Sequence, residues 1–351
     1  MTPPLVPPAE LAGPGPLLGA DARVHTPLLG VDLTAPPADV ERLARIAGES
    51  DRILVGVGEP DPGWAPLVGA LALTLVPVGR DTGPEHVGVD DPAAALAGLH
   101  AATEANPQAA TVLAGLLRWS VDLPVPAALD AESFAYSTLL GGAEFRGWLT
   151  RRGPRPLPPP VEEPVRVTRA GRVLHLTLNR PERRNAYGRQ VRDALVDALD
   201  LALLDPAVEQ VVLDGAGPAF CAGGDLDEFG TAPDLATAHL VRTRAGAARP
   251  VHALRDRVEV RLHGPCVGAG IEVPAFAGRV VAAPDTTIRL PEVGMGLIPG
   301  AGGTVSLPRR IGRWRTLHLA LSGTPCDAAT ALRWGLVDAV AEQCQADAHE
   351  P

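Results

Sequence analysis

Apolar and polar residues alternate along the second half of the chain in a way that predicts strands joined by helices. In GRVLHLTLN, Leu174, Leu176 and Leu178 alternate with other positions, as a strand with one buried face requires. A helix is predicted at 188–204, where apolar residues recur at helical spacing until an Asp-Pro pair ends it. QVVLDG then predicts a fully buried strand. Strand, helix and strand in this order predict a parallel crossover unit.

The first half shows a similar but weaker rhythm. LLGVDL and RILVGVG predict strands on either side of a helix at 38–48. Long helical stretches are predicted at 92–117 and 126–150, and glycine and proline are frequent throughout. These patterns predict an α/β unit over residues 1–152.

A proline-dense segment, GPRPLPPPVEEP, separates the two halves. Such a run continues neither a helix nor a central strand, so it predicts a stiff, extended linker at 153–164. The predicted organisation is an N-terminal domain of residues 1–152, this linker, and a second domain of residues 165–351. A chain of 351 residues with 46% hydrophobic content is long enough for two domains or one large one.

Charge and hydropathy exclude several classes of protein. The net charge is −10, whereas a nucleic-acid surface needs a basic stripe, so we predict no nucleic-acid binding. No apolar run approaches the ~20 residues of a membrane-spanning helix. The proline-rich start lacks the basic and apolar blocks of a signal peptide, and we therefore expect a cytoplasmic protein without a membrane partner.

Two residue types limit the chemistry further. All 31 basic residues are arginine, which rules out a Schiff-base lysine and a Walker A loop. The four cysteines form neither a CxxC pair nor a metal-ligand spacing, so we predict reduced thiols and no metal site. Neither a GxSxG nor an HExxH motif is present, and no GxGxxG lies between a strand and a helix.

Three glycine-rich segments of the second half carry candidate chemistry. FCAGGDL follows the strand QVVLDG, and its small residues allow backbone N–H groups to approach a ligand. HGPCVGAGIE leads into a predicted helix, with Glu272 three residues after Ala269. PEVGMGLIPGAGGT places Glu292 among apolar residues, which disfavour a charged carboxylate and suit proton transfer near neutral pH. Alone, each also fits a structural role: a tight turn, a Glu at a helix start, or a solvated loop Glu.

Taken in order, the segments NRPxxxNA, FCAGGDL, HGxxVGAGIE, PEVGxGLIPGAGGT and SGxxxxAxxAxxxGLVD closely resemble the enoyl-CoA hydratase/isomerase (crotonase) family over about residues 165–340. The resemblance implies an α/β fold with a crotonase-like ββα spiral core in this half. It also implies an acyl-CoA substrate and a homo-oligomer, either a trimer or a dimer of trimers. No separate cofactor is implied, because coenzyme A is part of the substrate.

The family pattern also implies site residues. The N–H groups of Gly224 and Ala269 would form an oxyanion hole for the thioester carbonyl, and Glu272 and Glu292 match the two carboxylates of the hydratases. The residues implied to bind the CoA moiety are Arg183, Arg184, Ala222 and Asp225. The two arginines could pair with phosphate, and a solvated basic turn is the structural alternative.

Hydration of a 2-enoyl-CoA is the favoured reaction, with one Glu taking a proton from water and the other giving a proton to C2. Alternatives in the same superfamily are double-bond isomerisation, thioester hydrolysis and cofactor-free dioxygenation. Two carboxylates favour hydration, because many isomerases keep only one. A catalytically silent subunit or binding module is the alternative of another class, and departures from the family pattern at Pro274, Gly278 and Val305-Ser306 keep it open.

Residues 1–152 invite a second hypothesis. Residues 106–152 resemble the tail helices that follow the core in crotonases, whereas only AEQCQADAHEP follows GLVDAV here. We predict a degenerate crotonase-like unit that keeps the tail helices, has lost the active-site loops, and covers apolar surface on the second half or on a neighbouring subunit. The alternative is an unrelated regulatory or linker domain.

Overall fold

The computed structural model describes residues 5–11, 13, 15–34 and 39–341 and has the predicted mixed α/β class. In the first half, the described strands are β1 (Leu5–Val6), β2 (Leu28–Asp32), β3 (Ile53–Val57), β4 (Leu73–Pro77) and β5 (His86–Val89). The helices are α1 (Val40–Glu49), α2 (Ala65–Ala70), α3 (Pro92–Ala105), α4 (Pro107–Trp119), α5 (Val125–Leu140) and α6 (Ala143–Arg152).

The strands of the first half form one parallel sheet in the order β1-β2-β3-β4-β5. Successive side chains of a strand point to opposite faces. Leu28 accordingly packs with α3 residues such as Leu96, whereas Leu29 packs with Leu43 of α1 and Leu67 of α2. The sheet is therefore covered on both sides, which explains why LLGVDL and RILVGVG are nearly continuous apolar runs.

Each long helical stretch of this half is divided into two helices. The stretch predicted at 92–117 breaks at Asn106, which has φ −141° and ψ 67°. Pro107 follows Asn106 and disfavours a helical conformation there, while it can itself begin the next helix, α4. The stretch predicted at 126–150 breaks at the Gly141-Gly142 pair, between α5 and α6.

The second half contains the elements that position the candidate site. Its described strands are β6 (Val165–Ala170), β7 (Val173–Leu178), β8 (Gln210–Gly215), β9 (Val258–Leu262), β10 (Pro265–Val267), β11 (Arg279–Ala282), β12 (Thr287–Arg289), β13 (Cys326–Asp327) and β14 (Ala339–Val340). Its helices are α7 (Arg189–Leu204), α8 (Leu235–Arg244), α9 (Ala248–Ala253), α10 (Ala269–Glu272), α11 (Gly303–Ser322) and α12 (Ala328–Trp334).

These strands form two sheets. The larger has the order β14-β11-β9-β8-β7-β6 and is parallel except for the β6–β7 pair. The smaller has the order β10-β12-β13. The predicted crossover unit is β7, α7 and β8, with Leu174 opposite Val211 in a parallel ladder.

The two halves share a continuous apolar core. Leu113 of α4 and Phe145 of α6 belong to the same buried cluster as Phe220, Ile298 and Leu307. Residues 153–164 lie between the halves and form neither helix nor strand. The degenerate-crotonase origin of the first half stays a prediction, but its helices do cover apolar surface of the second half.

None of the helices in the described ranges is both long and apolar enough to cross a membrane. Cys221, Cys266 and Cys326 are buried free thiols, and Cys344 lies outside the described residues.

Candidate active site

Two of the glycine-rich segments lie side by side after the strands of the larger sheet. The backbones of Cys221 and Cys266 pair as an isolated parallel β-bridge, and the Val267 N–H donates to the Cys221 carbonyl at 3.0 Å. Gly223 has φ +95°, and a Cβ there would lie 3.0 Å from the Val267 carbonyl oxygen. A side chain at Gly270 would overlap the Cys221 carbonyl oxygen. Small residues are therefore required for this close approach of two backbone segments.

The predicted oxyanion donors, Gly224 and Ala269, are on these adjacent segments. Within the described residues, the N–H groups of Gly224 and Ala269 have no protein acceptor, whereas an N–H group next to each of them does. The Asp225 N–H donates to Tyr187 at 3.3 Å, and the Gly268 N–H donates to Arg289 at 2.9 Å. Two backbone donors thus remain available to a ligand oxygen.

The helix predicted after Ala269 is only one turn long. Helix α10 ends at Glu272, and the chain continues as a 3-10 turn at Pro274–Phe276. Pro274 has no N–H to donate to the α-helical ladder and its ring clashes with the carbonyl four residues earlier, which accounts for the early end.

Glu272 and Glu292 converge on the backbone of Gly268. Gly268 has φ +48°, and a Cβ there would overlap Oε1 of Glu292 and lie 3.5 Å from Oε1 of Glu272. The two Glu residues are 2% and 8% exposed. Oε2 of Glu272 accepts from the Ala301 N–H at 2.7 Å and the Gly303 N–H at 2.9 Å, whereas Oε2 of Glu292 is buried without a partner. The structure therefore brings both predicted carboxylates together beside Ala269.

Burial and mutual repulsion shift the proton affinities of both groups. Burial is the main cause that raises the pKa of Glu272 well above its ordinary value, and the neighbouring Glu292 and Glu132 add to it. The N–H donors of Ala301 and Gly303 oppose this shift. Burial likewise raises the pKa of Glu292 to about 8. A carboxyl group with a pKa of about 8 exchanges protons near neutral pH, as Glu292 does here.

A third buried carboxylate, Glu132, was missed by the sequence analysis. It lies on α5 and accepts hydrogen bonds from the Gly302 N–H at 2.8 Å and from the Thr304 N–H and hydroxyl at 2.9 and 2.7 Å. Burial raises its pKa to about 7. One signal was available: Glu132 is a charged residue that follows Leu129 and precedes Tyr136 at helical spacing, on the buried face of α5.

The residues predicted to bind the CoA moiety surround the turn after β7. The Arg183 guanidinium pairs with Asp225 at 2.7 Å and with Asp227 at 2.8 Å, and these carboxylates raise its pKa. Asp225 is buried. Arg184 is exposed and forms no ion pair or side-chain hydrogen bond within the described part of the chain, and its carbonyl accepts from the Ala222 N–H at 2.9 Å. Of the two arginines, Arg184 is therefore the one without a counter-ion among the residues that the structure describes.

The residues that the structure describes contain no group of three or more His, Cys, Asp or Glu side chains arranged to hold a metal ion.

The chain was compared with known proteins. A family model described as "Enoyl-CoA hydratase/isomerase" matches residues 168–349. The 2,3-dehydroadipyl-CoA hydratase of Escherichia coli is 37% identical over 174 residues, which are 50% of this chain and 68% of that protein. The 1,2-epoxyphenylacetyl-CoA isomerase of the same organism is 36% identical over 170 residues, which are 47% of this chain and 64% of that protein.

A solved enoyl-CoA hydratase from Thermoplasma volcanium superposes with a TM-score of 0.48 at 31% identity, over 51% of this chain and 72% of that chain. The chain spans about two thirds of the length of the curated relatives it matches. The family model covers the segments that form the site around Gly268, from the turn after β7 to α12. The chain therefore belongs to the enoyl-CoA hydratase/isomerase family.

Proposed function

We infer that this protein adds water across the double bond of a 2-enoyl-CoA thioester. The observation that carries this inference is the convergence of two buried carboxylates, Glu272 and Glu292, on Gly268. They lie next to the Ala269 N–H, which has no acceptor among the described residues. Hydration needs one proton acceptor and one proton donor on the same water and substrate, and a pair of this kind supplies both.

The backbone donors hold the thioester in this proposal. As water adds at C3, negative charge moves onto the thioester oxygen. The N–H groups of Gly224 and Ala269, which have no protein acceptor among the described residues, stabilise that charge. They stabilise it more in the transition state than in the ground state, so they accelerate the reaction as well as bind the substrate.

Burial raises the pKa of both carboxyl groups, and we base their different roles on their hydrogen-bond partners. Two N–H donors favour the ionised form of Glu272, whereas the unpartnered Oε2 of Glu292 favours its protonated form. Glu272 then takes one proton from water as the water oxygen bonds to C3, and Glu292 delivers its proton to C2. The proton held by Glu272 afterwards passes to Glu292, which restores both groups, so the net change is the addition of one water. No metal or redox cofactor enters the proposed step.

The CoA nucleotide is assigned to the turn after β7. Arg184 is exposed and has no counter-ion in the described ranges, so its guanidinium can pair with a phosphate. Asp225 already engages Arg183 and holds that turn in place, and the Ala222 N–H donates to the Arg184 carbonyl in the same turn. Arg183, Ala222 and Asp225 are therefore proposed to shape the CoA site, and Arg184 to contact the phosphate.

The test is a spectrophotometric assay of the enoyl-thioester absorbance, which hydration of a 2-enoyl-CoA lowers and isomerisation of a 3-enoyl-CoA to a 2-enoyl-CoA raises. We expect consumption of 2-enoyl-CoA, with turnover reduced by about 10²-fold or more in Glu272→Gln and Glu292→Gln. Glu209→Gln is the control, because Glu209 is an exposed residue that pairs only with exposed Arg172. A protein that converts 3-enoyl-CoA alone is an isomerase, and one that consumes neither substrate supports the silent-subunit alternative.

A further inference from the structure

The loop at residues 300–304, which runs into the first turn of α11 from Gly303 onward, is held by two carboxylates through alternate N–H groups. Glu272 accepts from Ala301 and Gly303, and Glu132 accepts from the two residues that alternate with them, Gly302 and Thr304. The distances, 2.7 to 2.9 Å, are those of charge-assisted hydrogen bonds. The two carboxylates therefore share one structural element, and a shift of the loop at either one is transmitted to the other.

Glu132 reaches this loop from the other half of the chain. It is separated by 170 residues from Gly302 and is 2% exposed, so its hydrogen bonds to the loop are shielded from solvent. One turn later on α5, the Tyr136 ring packs so closely on Gly300 that a Cβ there would overlap it. The guanidinium of Arg242, a residue of α8, lies 4.5 Å from the centre of the Tyr136 ring. Helix α5 thus contacts the loop at positions 300, 302 and 304.

Loss of Glu132 would leave three buried donors without an acceptor: two N–H groups and the Thr304 hydroxyl. Unpaired buried donors are costly enough that the loop would move to satisfy them. The same loop carries the donors that orient Glu272. We propose that Glu132 is a positioning residue, supplied by the N-terminal half, which fixes the backbone of residues 301–304 so that Glu272 is held for reaction. This inference rests on the proposed role of Glu272.

The charges around Glu132 provide a readout that a purely structural role would not move. Glu132 interacts electrostatically with two carboxylates: Glu272 on α10, and Glu292 in the 3-10 turn that precedes α11. It also interacts with Tyr136 on its own helix and with Arg242 on α8. Its negative charge raises the pKa of both Glu272 and Glu292. Replacement by neutral Gln removes this repulsion, so both limbs of the pH–rate profile should shift to lower pH.

Glu144 offers a matched control in the same half of the chain. It lies on α6, and its carboxylate accepts from the N–H groups of Gln108 and Ala109 at 2.7 and 3.0 Å, where α4 begins. Glu144→Gln therefore removes a comparable pair of hydrogen bonds to backbone. The causes that set the pKa values of Glu272 and Glu292 do not include Glu144.

The experiment compares Glu132→Gln and Glu144→Gln in the full chain. For Glu132→Gln we expect kcat to fall by about 10-fold or more with KM within about three-fold, together with the acid shift of both limbs. Glu144→Gln should keep the kcat and the pH profile of the unmodified protein. Equal effects of the two variants, or an unshifted profile in Glu132→Gln, would overturn the proposal.

Two further measurements keep the test decisive. If Glu132→Gln does not fold, Thr304→Val removes only the hydroxyl bond to Glu132, and Thr304→Ser restores it. We expect kcat to fall in the first and recover in the second, and equal activity in both would count against the proposal.

If the unmodified protein consumes no enoyl-CoA, the proposed function fails. The coupling is then measured by infrared spectroscopy, in which the carboxyl band that disappears in Glu272→Gln is assigned to Glu272. We expect the titration midpoint of this band to shift in Glu132→Gln, and an unshifted midpoint would overturn the proposal.

Discussion

Gly268 and Glu292 lie so close together that a single methyl group on Gly268 would overlap the Glu292 carboxylate. Gly268 also has φ +48° and ψ −120°, a backbone conformation that residues other than glycine rarely adopt. The glycine before Ala269 is therefore required both by the backbone and by the carboxylate that it faces.

Gly268→Ala should consequently reduce turnover by about 10²-fold or more, because Glu292 must move away from the substrate position. The strained backbone should also lower the free energy of unfolding by about 1–3 kcal/mol. Gly294→Ala is the matched control, since Gly294 lies two residues from Glu292 but a Cβ there meets nothing within 4 Å. Assays of turnover and of urea unfolding on both variants check this, and full activity in Gly268→Ala would contradict the placement of Glu292.

The raised pKa of Glu292 makes stability depend on pH. Its pKa is about 8 in the folded protein and 4.5 ordinarily, so between these values the folded state binds more protons than the unfolded state. The free energy of unfolding should therefore fall as pH rises from about 4.5 to about 8. Buried His318 acts in the opposite direction, because burial lowers its pKa to about 4, and its effect ends near its ordinary 6.5.

The clean window for this second prediction lies between pH 6.5 and 8. The urea midpoint of the unmodified protein should fall across this window, and that of Glu292→Gln should fall less, because Gln does not titrate. Glu132, with a pKa of about 7, accounts for part of the remaining fall. An equal decrease in both proteins would show that Glu292 is ionised throughout.

Two of the three buried carboxylates were predicted from the sequence, and the third was not. Glu272 and Glu292 were assigned because each lies within a glycine-rich segment that, taken in order with the others, resembles the enoyl-CoA hydratase/isomerase family. Glu132 lies in a plain amphipathic helix, and its partners Gly302 and Thr304 are about 170 residues away. Periodicity marks a buried position but does not specify which distant segment packs on it, so the third carboxylate required the structure.

The helix boundaries show the same distinction. Strands β7 and β8 and helix α7 lie where the local patterns placed them, because alternation and helical spacing are local properties. The end of α10 at Glu272 and the break at Asn106 depend on single prolines, Pro274 and Pro107, within otherwise helical runs.

The two neighbouring arginines should behave differently. Arg184→Gln should raise KM for an enoyl-CoA by about two- to five-fold, as expected for one exposed charge pair with phosphate. It should leave KM for the corresponding enoyl-pantetheine unchanged, because that substrate lacks the nucleotide. Arg183→Gln should instead lower stability by about 1–3 kcal/mol, since it leaves buried Asp225 short of a partner. Equal changes in KM for both substrates in Arg184→Gln would exclude phosphate contact.

The final prediction concerns the dependence of the second half on the first. Helix α11 directs polar side chains at backbone carbonyls of the first half: Trp314 donates to Leu71 at 3.1 Å, and Arg315 donates to Gly83 at 2.9 Å. Arg309 likewise donates to Leu123 at 2.6 Å. These bonds surround an apolar core that both halves share.

A fragment of residues 160–351 would therefore expose the face of α11 to water and leave the Gly302 and Thr304 donors without Glu132. We expect this fragment to be insoluble or inactive when expressed alone, because an exposed apolar patch of several hundred Å² promotes aggregation. Coexpression with residues 1–152 as a separate chain should restore a soluble complex with enoyl-CoA turnover, since the contacts between the halves do not require residues 153–159. Size-exclusion chromatography and the absorbance assay measure both outcomes. A monodisperse, fully active fragment of residues 160–351 would show that the N-terminal half completes neither the core nor the site.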